Sequence, residues 1–194
     1  MTNSTGPVQL LRAAERPATA WRNGGGVTRE VAGYPAGSGL DDFQWRVSLA
    51  DVGSAGPFSA FPGVDRVITL VEGPGMALTV DGTEHVVDAP FRPFAFSGDA
   101  ATDCRLLGGP LVDFNVMTRR GRATAELDLV TGPRPVVVPA GAAVLLVCLS
   151  GTATLDATTA LTRYDAALLT APATHALQPS SGTTAVLTLR SSVD

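Results

Sequence analysis

The chain has 194 residues, a formal net charge of −4 and 45% hydrophobic residues, enough for one domain or two small ones with real cores. Its 14 basic residues are all arginine and lie scattered, with one short cluster at Arg119, Arg120 and Arg122, too little for a nucleic-acid footprint. No apolar run approaches the roughly 18 residues that span a bilayer, so no membrane association is expected. The segment Met1–Pro7 lacks the basic-then-apolar order of a secretory leader, and the expected compartment is the cytoplasm.

In chain order, almost every segment reads as a strand. Val8–Leu11 comes first. Trp21-Arg22-Asn23-Gly24-Gly25-Gly26 follows, and three glycines suit a sharp turn or a close backbone approach. No Lys-Ser/Thr succeeds them and no helical period follows, which disfavours a phosphate loop and favours a turn before a strand. Strands are then predicted at Val27–Val31, Phe43–Val52, Val67–Val71, Met76–Val80, Thr83–Val87, Phe94–Phe96, Cys104–Leu107 and Leu111–Thr118. The second half continues with Ala125–Leu129, Val136–Val138, Val144–Leu149, Ala153–Leu155, Ala167–Leu169 and Ala185–Leu189. Gly, Pro, Asp and Ser punctuate these runs every 8–12 residues or so, the mark of an all-β sandwich or barrel with little helix. Asp81-Gly82 between two such runs is a type I′ hairpin signal. Cys104 and Cys148 lie in apolar runs and read as buried thiols, with no disulfide expected.

The chain also echoes itself. Ile68–Gly73 followed by Leu78–Asp81 resembles Leu145–Gly151 followed by Ala153–Asp156, about 75–78 residues later. This repeated order of strand, glycine, strand, turn, strand and proline reads as a cupin jelly roll. Arg163–His175, with Asp165 and with Pro172 ahead of His175, looks like a degraded second cupin motif. The expected fold is therefore a bicupin, two jelly-roll β-barrels packed together. Residues 1–120 would form an amino-terminal module with the decorated loops, and 121–194 a smaller carboxy-terminal one.

Five motifs in order carry a more specific likeness: Trp21–Gly26, Trp45-Arg46-Val47-Ser48, Gly56–Arg66, Phe96-Ser97-Gly98-Asp99 and Asp113-Phe114-Asn115-Val116-Met117. The series resembles the HutD/Ves family of bacterial cupin proteins associated with histidine utilisation. The match covers residues 8–120 closely and the rest as a looser, shortened second cupin. The resemblance implies a bicupin fold, a cytoplasmic location and a small-molecule-binding or regulatory role near histidine degradation, with no established catalytic reaction. A homodimer is expected only by analogy with other bicupins.

The residues themselves narrow the chemistry. Cupin metal sites draw on two or three histidines and a carboxylate, and this chain has only His85 and His175. His85 is expected to face solvent on its strand and His175 to lie in a loop, so neither a metal nor another cofactor is expected. No Gly-x-Ser-x-Gly elbow is present, and both cysteines lie where a thiolate is disfavoured. A polar strip remains. Because strand side chains alternate faces, Thr28 with Glu30, Arg46 with Ser48, and Asn115 with Met117 can point into a barrel. Arg46 can grip a carboxylate with two parallel hydrogen bonds or pair with Glu30 while the site is empty. Phe58, Phe61 and Pro62 would lid the mouth. Asp65 and Arg66 would close it, as an ion pair or with Arg66 as a second cation. With Asn23 of the glycine motif, the candidate ligand-binding set is Asn23, Thr28, Glu30, Arg46, Ser48, Phe61, Arg66, Asn115 and Met117.

Three functions compete on this basis. The first is a non-catalytic, regulatory bicupin that binds a small organic acid such as urocanate or an N-formylglutamate-like compound. The second is a metal-independent hydrolase or isomerase acting on a related acid, with Glu30 as base. The third is a protein-interaction module using the outer sheets.

Overall fold

Alternating apolar and polar residues pair into four antiparallel sheets in a computed structural model that describes residues 6–192. Met1–Thr5, which begin the segment read as lacking a leader, lie outside the described residues. The chain divides into two units. The first, Arg16–Arg122, holds a six-stranded sheet and a four-stranded one. In spatial order the six strands are Thr19–Ala20, Gly26–Tyr34, Trp45–Val52, Leu111–Arg119, Val64–Glu72 and Pro93–Ser97. The four are Gly56–Pro57, Thr102–Leu106, Met76–Val80 and Thr83–Val87. The second unit, from Ala123 onward, carries Val8–Leu11, Ala166–Leu169, Ala142–Cys148, Thr184–Ser191 and Ala123–Val130 in one sheet. Its other sheet is Arg134–Val138, Ala173–Ser181, Thr152–Leu155 and Thr159–Thr162. Among the described residues the one helical element is the short 3-10 turn Ala13–Glu15, so the all-β expectation holds. Among the described residues no helix is long and apolar enough to cross a membrane.

Each unit buries side chains from both of its sheets. In the first, Ala50, Val52, Ile68, Leu70 and Leu111 meet Met76, Leu78, Val87 and Cys104, and a second small cluster gathers Phe43, Val64 and Met117. In the second, Val144, Leu146, Ala167, Leu169 and Val186 meet Val136, Ala153, Leu155, Leu161 and Leu177. Burial at about 25 cal/mol per Å² of apolar surface drives both.

Two features differ from the sequence reading and a third matches it. Val8–Leu11 pairs with Ala166–Leu169, so the first strand belongs by its hydrogen bonds to the second unit, not the first. Asp165 fixes this attachment: its carboxylate accepts the Ala13 amide at 2.9 Å, Arg12 Nη1 at 2.8 Å and the Thr162 hydroxyl at 2.8 Å. Burial would raise the Asp165 pKa, but these bonds and the Thr162 amide outweigh it and hold the carboxyl below its ordinary value. The second feature is the strand Ala173–Ser181, which the sequence disguises with a single leucine and a proline. Pro179 sits at a register irregularity against Thr152 and Ala153, where a missing ladder donor is tolerated. Third, the Asp81-Gly82 turn is as expected, with φ of 46° and 83°, and Asp156-Ala157 repeats it at 51° and 57°.

Candidate ligand-binding lumen

The glycine motif acts as scaffolding. Asn23 Oδ1 accepts the Gly25 amide at 3.0 Å, and the Gly25 carbonyl accepts the amides of Gly53 at 2.8 Å and Ser54 at 3.1 Å. A Cβ on Gly26 would stand 2.6 Å from the Asp51 carbonyl and 3.1 Å from the Trp21 ring, so only glycine lets the strand start here. The turn thereby seats Trp21, whose indole N–H donates to Thr28 Oγ1 at 2.7 Å and whose ring meets Phe58 edge-on at 6.1 Å. Asn23 itself is exposed and stays with the turn, apart from the other candidate residues.

Strand register brings most of the others together. Cross-strand pairing aligns Glu30, Ser48, Asn115 and Ile68 in one row across the six-stranded sheet. The next row is Arg46, Met117, Arg66 and Phe96, and the row on the other side is Thr28, Ala50, Asp113 and Leu70. Ala50, Ile68, Leu70 and Met117 belong to the buried clusters, so this face looks between the sheets. Thr28, Glu30, Arg46, Ser48, Arg66, Asn115 and Met117 therefore share one inward face, as strand alternation predicted for all but Arg66.

Glu30 and Arg46 form the expected pair, Nε to Oε2 at 2.6 Å, with the arginine side chain 14% exposed and the glutamate 43%. A bulge at Glu30–Ala32 turns the glutamate back across the strand, and the bare Gly33 leaves room: a Cβ there would stand 3.2 Å from Glu30 Oε1. The expected Asp65–Arg66 ion pair does not form, because neighbours on a strand face opposite ways. Asp65 lies outside and bonds Arg120 at 2.6 Å, while Arg120 also reaches Asp99. Arg66 turns inward and is 6% exposed. Its guanidinium carbon lies 4.9 Å from the Phe96 ring centre, 5.4 Å from Phe58 and 5.5 Å from Phe61. Phe61, read as a lid, is thus one wall of an aromatic cage around a cation.

That cation is under-bonded. Arg66 Nη1 reaches only the Ser59 carbonyl, at 3.4 Å, and Nε is buried with no partner. Burial lowers its pKa to about 10, with Asp113 opposing and Arg46 reinforcing the shift, so it remains charged at neutral pH. Asp113, absent from the predicted set, is 2% exposed and leaves Oδ1 unpartnered, as does Asn115. Burial pushes the Asp113 carboxyl up to about 7 against the pull of Arg66, with Asp51 adding to the rise. Each such buried, unmade bond costs about 1–3 kcal/mol. Three of them lie on one inward face, one donor and two acceptors without a protein partner.

The histidines lie elsewhere than expected. His85 pairs with core residue Leu78 on the inward side of its strand, half-buried, its ring 4.9 Å from Phe94. His175 is on a strand, 1% exposed, with Nδ1 2.7 Å from Asp156 Oδ2 and Nε2 unpartnered. Among the described residues, no three His, Cys, Asp or Glu side chains gather as a metal site would require. Burial pushes both thiols, Cys104 and Cys148, up to about 11.

Comparison with known proteins places these features in a family context. The HutD family model matches residues 13–187. An uncharacterised 21.2 kDa protein in the hutC 3′ region of Pseudomonas putida is 46% identical over 125 residues, 64% of this chain and 65% of that one. Protein Ves of Citrobacter koseri is 42% identical over 113 residues, 57% of this chain and 58% of that one. The chain thus spans less than two thirds of the length of these relatives. The crystal structure of HutD from Pseudomonas fluorescens SBW25 superposes with a TM-score of 0.86 at 34% identity, over 96% of this chain and 100% of that one. Against that full-length overlap, the second unit is not shortened. A cupin 2 conserved barrel protein from Leptotrichia buccalis, 10% identical at TM-score 0.56 over 86% of this chain and 89% of that one, shares the fold alone.

Proposed function

The chain belongs to the HutD family, and from that premise we propose that its first unit is a non-catalytic binding module for a small organic acid. The observation that carries this reading is Arg66, a charged guanidinium caged by three phenylalanines inside a barrel, with a buried N–H and no acceptor for it. A carboxylate supplies that acceptor. Arg46 stands in the same row and can exchange its Glu30 partner for the ligand with little rearrangement. Asn115 Oδ1 asks for a donor, so the preferred acid carries an N–H or O–H beside its carboxylate. An N-formylglutamate-like acid or urocanate meets that description. The place of one relative in a hutC 3′ region supports a regulatory task near histidine degradation, and two free buried cysteines suit the cytoplasm.

The enzymatic reading with Glu30 as base has less support, because that carboxylate is half-exposed and held by Arg46. A thermal-shift series with N-formyl-L-glutamate, urocanate, glutamate and histidine at millimolar concentration tests the proposal. Ligand linkage raises the melting temperature for an acid that binds the native state. One of the first two acids should do so, and the shift should vanish in Arg66→Met. No shift with any of the four, or an undiminished shift in Arg66→Met, overturns it.

A further inference from the structure

The inward face holds two cations and two carboxyls, Arg46 with Glu30 and Arg66 near Asp113. With Asp113 ionised these charges cancel. A carboxylate entering the interior then leaves one negative charge in excess, in a place where burial makes an unbalanced charge costly. Either the anion stays out or a carboxyl inside takes a proton. Glu30 is half-exposed and ion-paired, whereas Asp113 is buried, across from Ala50 and Leu70, with Oδ1 unpartnered. We propose that Asp113 takes up one proton as an organic acid binds beside Arg66 and, as a neutral carboxylic acid, donates a hydrogen bond to it. The inference rests on the carboxylate-binding reading above.

The surroundings of Asp113 favour this role. Arg66 faces it from Val64–Glu72, Asp51 acts on it from Trp45–Val52, and Cys104 lies toward it from Thr102–Leu106 in the opposite sheet. Arg46 acts in turn on Arg66. Asp51 is ion-paired with Arg29, and the Cys104 thiol, held up at about 11, stays neutral. Asp113 is then the group in this set positioned to change charge near neutral pH, its carboxyl already raised to about 7 by burial. Once protonated it turns from an acceptor without a donor into a donor available to an incoming oxygen. A buried carboxylic acid kept neutral so that it can donate is an established device in binding sites for oxyanions.

Calorimetric titration of N-formyl-L-glutamate and, separately, sodium formate into the whole protein tests this, since neither probe titrates between pH 7 and 9. At pH 8 the apparent enthalpies in phosphate and Tris buffers should differ by the equivalent of about one proton taken up. Affinity should fall about tenfold per pH unit above pH 7.5. In Asp113→Asn, which keeps the shape, proton uptake should disappear and the affinity should become flat with pH. Binding by the parent protein with no proton uptake and a flat profile overturns the inference while leaving the binding reading intact, and needs no variant. Proton uptake that persists in Asp113→Asn also overturns it. Failure of both probes to bind at pH 6 overturns the carboxylate reading and this inference with it.

Discussion

Strand Val64–Glu72 in the first unit and strand Ala142–Cys148 in the second hold corresponding places. Each lies beside the long last strand of its unit, Leu111–Arg119 or Thr184–Ser191. Each leads through a glycine at positive φ, Gly73 or Gly151, toward a hairpin turned by an aspartate at positive φ, Asp81 or Asp156. The sequence echo is thus a structural one. What differs is the inward face: Arg66, Ile68 and Leu70 in one, Val144, Leu146 and Cys148 in the other. On the neighbouring strand, Asp113 and Asn115 of the first unit correspond in place to Thr184 and Val186 of the second. One interior is stocked for cohesion and the other for recognition, on the same plan. The unpartnered polar atoms of the first unit include a buried guanidinium and a buried carboxyl, whereas those of the second, His175 Nε2 and Thr184 Oγ1, belong to an imidazole and a hydroxyl.

The largest expected effect lies in the apolar unit. Leu146→Ala removes a fully buried side chain at the centre of the second core and should cost about 2–5 kcal/mol of unfolding free energy, measured by urea titration with circular dichroism. Both tryptophans, Trp21 and Trp45, belong to the first unit, so tryptophan fluorescence follows that unit alone. By that readout Arg66→Met should cost less than Leu146→Ala, since the guanidinium makes one long hydrogen bond and Asp113, already raised to about 7, can take up a proton once its cation is gone. An Arg66→Met loss as large as that of Leu146→Ala breaks the contrast between the two interiors.

Two aspartates sharpen it through pH. In the first unit Asp113 has its carboxyl raised to about 7, so between about pH 4 and 7 the native state binds more protons than the unfolded chain. Its contribution is full below the unfolded value, falls by up to about 1.4 kcal/mol per pH unit as pH rises through 7, and is level above. In the second unit Asp165 is held below its ordinary value, so its contribution is present above the unfolded value and lost as pH falls. Urea midpoints from pH 4 to 8 should therefore lose their alkaline-going decline by fluorescence in Asp113→Asn. In a series carried below about pH 4, the acid-going decline by circular dichroism should weaken in Asp165→Asn. Identical pH profiles for parent and Asp113→Asn contradict the burial of a titrating carboxyl.

Binding separates the units next. Arg46→Ala should weaken N-formyl-L-glutamate by about thirtyfold, the worth of a charge-assisted contact in a partly desolvated site. Arg46→Lys should recover only part, since an ammonium lacks the planar fork. Leu146→Ala should bind as the parent does at temperatures where it is folded.

Alternation made the strip Thr28–Glu30, Arg46–Ser48 and Asn115–Met117 legible, because period two needs no partner strand. Cross-strand register was not legible. It depends on bulges at Glu30–Ala32 and at Val112–Asp113, and the second of these sets Asp113 opposite Leu70. Extending the Asn115–Met117 alternation back two residues would have found that carboxylate. Starting the strand at Val64 rather than Val67 would have turned Arg66 inward and freed Asp65 for Arg120. His85 was misplaced because Val86 and Val87 are both apolar, so the run names no face; Val86 is 56% exposed and Val87 buried. The three-phenyl cage has no sequence signal at all, since Phe58, Phe61 and Phe96 come from separate segments.

The smallest expected effect concerns the pair His175 and Asp156 of the second unit. Asp156 Oδ2 takes the His175 Nδ1 contact at 2.7 Å, and Oδ1 accepts the Ala176 amide at 2.8 Å. His175 Nε2 is buried with no partner. Asp156→Asn keeps the side-chain shape and suits the positive φ of 51°, which asparagine tolerates well. It replaces one of two acceptors by a donor, so the His175 and Ala176 contacts cannot both be kept as they stand. The cost should be about 1 kcal/mol by circular dichroism, with N-formyl-L-glutamate affinity unchanged because the pair lies in the other unit. A tenfold change in that affinity would show that the second interior takes part in recognition, and the division of labour between the two units would fail.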